Sequence, residues 1–205
     1  MKPANWNVVV VGSWNLAILT PAWMRKHVFG LEDDANLEVM VALDVYQPAH
    51  LKSIDKKLTV KPSSRSISFC PHDPTPDNLN SALRAATQLV DALKVTPMQA
   101  CGVNLRYEEQ EATAQVFKMT RCLMERSFSH FDHASCSRTE RLKFDLGSIN
   151  VTVDLESTQR CSLVINFDLQ SQDPEAIKAW LGRAAESYDA IARDILREFE
   201  EIPDD

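Results

Sequence analysis

Glycine is scarce in this chain, five in 205 residues. None falls in a G-x-G-x-x-G run or a P-loop, so the backbone offers no glycine-rich cradle for a nucleotide's phosphates. The G-x-S-x-G turn that presents a serine nucleophile is also missing. Lys and Arg total 22 against 29 Asp and Glu, a net charge of −7, and no basic run is long enough to form a stripe. An acidic surface disfavours phosphate backbones and anionic lipid, so the reading is no nucleic-acid partner and no membrane. A duplicated sheet would share the saddle layout of the TATA-box-binding fold, but layout does not give function and the charge argues against it.

Cysteine is odd in number, five, with no C-x-x-C pair. That pattern reads as free thiols in a reducing compartment, used as small apolar residues. Asn150-Val-Thr152 matches a glycosylation acceptor but falls within an expected strand, so chance explains it. A long uninterrupted apolar run is lacking too. Val8–Gly30 is the most hydrophobic stretch, yet Asn15, Thr20 and Pro21 interrupt it and Arg25, Lys26 and His27 follow. It suits neither a spanning helix nor a signal peptide, and the expected location is cytoplasmic.

What is present is periodicity. Asn7 to Leu19 reads as extended, with Val8, Val10, Gly12, Trp14, Leu16 and Ile18 on one face. Thr20 then caps a short helix, Pro21 to Phe29, which Gly30 closes. Leu37 to Tyr46 alternates as a half-buried strand. Leu58 to Phe69 is extended again, and Pro62 makes it an edge, a bulge or two short strands. Thr75 and Pro76 repeat the cap-then-proline signal and open a helix to Lys94 along Leu79, Leu83, Ala86, Val90 and Leu93.

Met98 to Glu108 reads as a strand and Ala112 to Phe128 as a helix. Ser129 to Thr139 reads as irregular. An antiparallel meander follows, through Leu142, Phe144 and Leu146, a turn at Gly147-Ser148, then Ile149 to Leu155 and Leu163 to Leu169. Asp173 caps a final helix from Pro174 through Ile177, Leu181, Ala184, Tyr188, Ile191, Ile195 and Phe199.

The element order repeats. "GSWNLA" and "GVNLRY" occupy equivalent places and align Asn15 with Asn104. Either the chain is a pseudo-duplicated β-α-β-β-α arrangement, or two α+β halves resemble each other by accident. The expected fold is α+β: a mainly antiparallel sheet with two long helices packed on one face. Residues 1–95 and 96–205 form halves sharing one continuous sheet in a single domain. The other sheet face would carry Asn15, Asn104, Arg106, Asn150, Asn166 and Asp168, with Val9 and Val11 nearby.

Three constellations could carry chemistry. His130, His133 and Cys136 in "HFDHASC" are metal-ligand types at workable spacing, and Cys70, His72 and Asp73 could add to them. Neither group shows the paired ligands of a structural zinc site, so solvated loops are the plainer reading. A Cys–His nucleophile is weaker still, because Cys101 and Cys161 fall in strands where burial makes thiols inert. Asp145, Asp154, Glu156 and Asp168 could hold magnesium, but carboxylates on a wet sheet face are ordinary.

Trp23 and His27 share one face of the first helix. Trp23 either covers one end of the core or anchors a partner. The expected function is therefore a non-enzymatic protein-binding or assembly module without a cofactor. It would meet a protein partner or self-associate as a homodimer, through the open sheet face or edge strands, using Trp14, Asn15, Trp23, Asn104 and Arg106. A metal-dependent hydrolase using His130, His133 and Cys136, and a small-ligand receptor with its pocket between the halves, are the alternatives.

Overall fold

The computed structural model describes residues 1–32, 35–41, 49–113, 116, 135–156 and 160–200. Its strands are β1 (Lys2–Gly12), β2 (Glu38–Met40), β3 (His50–Ser53), β4 (Leu58–Pro62), β5 (Ser66–Pro71), β6 (Met98–Glu109), β7 (Ser135–Phe144), β8 (Gly147–Glu156) and β9 (Cys161–Gln170). Its helices are α1 (Pro21–His27), α2 (Pro76–Ala92), α3 (Pro174–Leu181) and α4 (Ala185–Glu200). All nine strands form one antiparallel sheet, in the order β2-β3-β4-β5-β1-β6-β9-β8-β7. The fold is thus a mixed α/β one built on a large antiparallel sheet.

Alternation decides which side of each strand is covered. Trp6, Val8 and Val10 of β1 are buried, as are Val103, Leu105 and Tyr107 of β6 and Leu163, Ile165 and Phe167 of β9. They join Leu79, Leu83, Ala86, Leu89 and Val90 of α2 in one core cluster that spans both halves. Each fully buried aliphatic or aromatic side chain contributes about 1.5–3 kcal/mol. α2 packs against β1 and β5, and α3 and α4 both reach α2.

The caps fall where the residue types place them. Thr20, Thr75 and Asp173 accept from Trp23 N, Asn78 N and Glu175 N, each with proline at the start of the helix. Gly30 is left-handed at φ 58°, one turn past the end of α1.

Several boundaries differ from the sequence reading. β1 stops at Gly12 rather than Leu19. Asn15 Oδ1 accepts from Ala17 N, and Ile18 N donates to the Asn15 carbonyl, so a turn replaces the strand. Leu16 and Ile18, expected inside, are 40% and 42% exposed, while Leu19 is buried. β2 is a three-residue edge strand with every residue exposed, not a half-buried one; residues 42–46 of that expected strand lie outside the described residues. β3 was not anticipated. The segment around Pro62 resolves into two short strands.

Ser135 to Thr139, expected to be irregular, belongs to β7. The β7–β8 turn is Asp145-Leu146, with Asp145 at φ 50°, not Gly147-Ser148. Gly147 instead begins β8 with no room for a side chain, since a Cβ there would run into the Asp168 carbonyl and the Trp180 ring. The expected helix over 112–128 lies almost wholly outside the described residues, as do His130 and His133.

The final helix is two helices. Gly182 ends α3, and the amide of Ala185, at the start of α4, donates to Asn80 Oδ1 of α2 at 2.9 Å. Tyr188 Oη donates across the break to the Trp180 carbonyl at 2.6 Å. Arg183 lies over the rings of Phe144 and Trp180 and pairs with Asp145, which ties the break to the β7–β8 turn.

Candidate functional site

In an antiparallel sheet, residues at one register level stand side by side on one face. Asn7 pairs with Asn104, Asn104 with Asn166, and Asn166 with Asn150. Four adjacent strands, β1-β6-β9-β8, therefore place four carboxamides in a row on the face opposite Val8 and Leu105. The amides bond to one another. Asn104 Nδ2 donates to Asn7 Oδ1 at 2.8 Å, Asn166 Nδ2 to Asn104 Oδ1 at 2.6 Å, and Asn150 Nδ2 to Asn166 Oδ1 at 2.9 Å. Aligned amide bonds polarise one another and strengthen the row.

Room for the row depends on a glycine. A Cβ on Gly102, two residues before Asn104 on the same face, would stand 3.1 Å from Asn166 Nδ2. Val9 and Val11, half-buried, flank the row on the β1 side. Charge gathers toward one end. Arg106 Nε bonds Glu108 Oε1 at 2.9 Å, and both line a hollow of about 240 Å³ with Glu109, Asp154, Glu156 and Arg160. The centre of this face is thus neutral and internally hydrogen-bonded, and its margin is charged.

The sequence-derived candidates fall in different places. Asn104 is central to the row and Arg106 lies at its charged margin. Asn15 is not beside Asn104. It sits exposed in the turn after β1, and the residue paired with Asn104 is Asn7. The signal for Asn7 was available, since it shares a face with Val9 and Val11 and alternates with the apolar Trp6, Val8 and Val10. Trp14 is only 5% exposed and belongs to the core cluster. Trp23 is half-buried against the core and stacks on His27 with ring centroids 4.8 Å apart.

Of the metal candidates, His130 and His133 lie outside the described residues, and Cys136 sits in β7 opposite Leu155. Among the described residues no group of three His, Cys, Asp or Glu is placed to hold a metal ion. The meander carboxylates are dispersed. Asp145 pairs with Arg183, Asp168 accepts from Gln170, and only Asp154 and Glu156 share the hollow.

Cys101 and Cys161 are buried strand residues whose thiols are raised, chiefly by burial. Neither is poised as a nucleophile. Among the described residues no helix is long and apolar enough to cross a membrane. No protein-family model matches the chain, and a search of curated proteins finds no match.

Proposed function

We propose that this chain is a non-enzymatic binding or assembly module of the cytoplasm, which engages a protein partner or a second copy of itself through the sheet face around the asparagine row. The observation that carries this reading is the row itself. Burying an unpaired amide costs free energy, and the three links within the row lower that cost when a partner covers it. A neutral, internally hydrogen-bonded centre flanked by Val9 and Val11, with Arg106, Glu108 and Asp154 at the margin, follows the usual anatomy of a protein interface.

The same reading takes the long helices as packed together on the opposite face and the chain as an internal duplication. Thr75-Pro76 and Asp173-Pro174 open helices after strands that carry Phe69 and Phe167 at matching distances from the caps. In each half the first strand lies at the centre of the sheet and the last strand lies next to it.

Light-scattering mass at two concentrations tests the proposal, with Asn104→Arg as the variant. The arginine places a long charge at the neutral centre and removes two links of the row. The expected result is a dimer, or a stoichiometric complex with a copurifying protein, that the variant loses while remaining folded by circular dichroism. A wild-type monomer without a partner, or an assembly that survives in the variant, overturns the reading.

A further inference from the structure

The first half carries a cleft of about 420 Å³ on the same sheet face, and its chemistry differs from that of the asparagine row. Its polar lining is Lys61 and Thr59 from β4, Cys70 from β5, His50 from β3, Asn5 from β1, and His72 just past β5. The register explains the grouping. Thr59 stands opposite Cys70, and Lys61 opposite Ser68. The His72 backbone is fixed by donating to the Lys57 carbonyl at 2.8 Å, and its Nε2 lies 3.2 Å from Thr59 Oγ1.

In a chain of net charge −7, none of the described residues lining this cleft is a carboxylate. Lys61 has no ion-pair partner among the described residues. The nearby acids stand outside: Asp73 and Glu38 both act on His72, and Glu38 is bridged to Lys52 at 3.0 Å.

We infer that this cleft binds the phosphate group of a small molecule. An ammonium, two imidazoles, a hydroxyl and a carboxamide converge on one concavity, and the volume exceeds what a bare ion needs. The donor types favour phosphate over carboxylate. Planar two-point capture of a carboxylate is the work of arginine, and none of the described residues lining the cleft is one. Lysine acts as a point charge suited to phosphate. The guanidinium of Arg106, a residue in register with Asn5, is held by Glu108. Burial and then Lys52 hold the His72 imidazole below its ordinary 6.5, so a dianion arriving beside it would draw a proton onto the ring. This inference does not depend on the assembly reading, since a monomer could bind phosphate equally well.

The test is a titration of histidine-labelled protein with inorganic phosphate, following the imidazole carbon–proton signals by NMR, with acetate at matched ionic strength as the comparison. Phosphate is expected to shift His50 and His72 saturably and leave His27 in place. Lys61→Glu, an exposed substitution, is expected to weaken the midpoint at least about tenfold. The absence of a saturable shift, an unchanged midpoint in Lys61→Glu, or an equal response to acetate would overturn the inference. None of these outcomes alters the solution mass that decides the assembly proposal.

Discussion

Asparagine has poor strand propensity, and Asn104 earns its place only through Asn7 and Asn166 on either side. Sequence reading could single out Asn104, because it stands on the polar side of an alternating strand. It could not supply the partners, because register between strands remote in the chain is not written in either strand. The expected place of Asn15 on the sheet face failed for a local reason: an Asx turn at Asn15 competes with the ladder, and β1 ends three residues earlier.

Cysteine behaviour was easier to anticipate, since alternation alone buries Cys101. Burial first, and the charge of Asp168 second, push its thiol up to about 12. A raised acid keeps its proton in the folded state while the unfolded chain ionises near 9.0. Stability from this group is therefore complete below pH 9.0 and is lost as pH rises toward about 12. Urea midpoints measured across that range should fall above pH 9.0, and Cys101→Ala should flatten part of the decline. Tyr188 is raised by burial as well and adds loss of the same sign above 10.0. A midpoint that stays level would contradict this assignment.

Among elements, capped helices were the most legible and edge strands the least. Thr75-Pro76 and Asp173-Pro174 are local signals, read without knowing the rest of the fold. β7 escaped notice in its first half because edge residues such as Ser137, Thr139, Glu140 and Arg141 are exposed on both sides, leaving no alternation to detect. The α3–α4 break escaped because apolar periodicity continues through it, from Leu181 to Tyr188. What starts α4 is Asn80, a residue of α2. Asn80→Ala removes that cap and the bond from Asn80 Nδ2 to Glu186, and is expected to cost about 1–2 kcal/mol. Chemical denaturation would measure it, and a loss no greater than that of an exposed-surface alanine would show that the cap is idle.

At the scale of the molecule, the seam between the halves is the β1–β6 pair, which lies inside the sheet and contributes Val8, Val10, Val103 and Leu105 to one core. Neither half can open along that seam without exposing strand edges and core together. Calorimetry is therefore expected to show a single unfolding transition, with calorimetric and van't Hoff enthalpies equal. Two resolved peaks would mean that the halves melt independently. A mainly antiparallel sheet was legible from the alternating strands and the meander. The placement of Asn7, Cys70 and His72 along its polar face was not, since it depends on bulges and turn lengths that shift register.

The asparagine row also has a direction. Every amide hands its hydrogen toward β1, so the row ends in a spare donor on Asn7 and a spare acceptor on Asn150. A carboxylate can only accept. Aspartate at position 7 would fit the present polarity, whereas aspartate at position 150 would require all three links to turn round together. Chemically similar changes at the two ends are thus unequal, and the orientation of a single side chain is set by a residue three strands away.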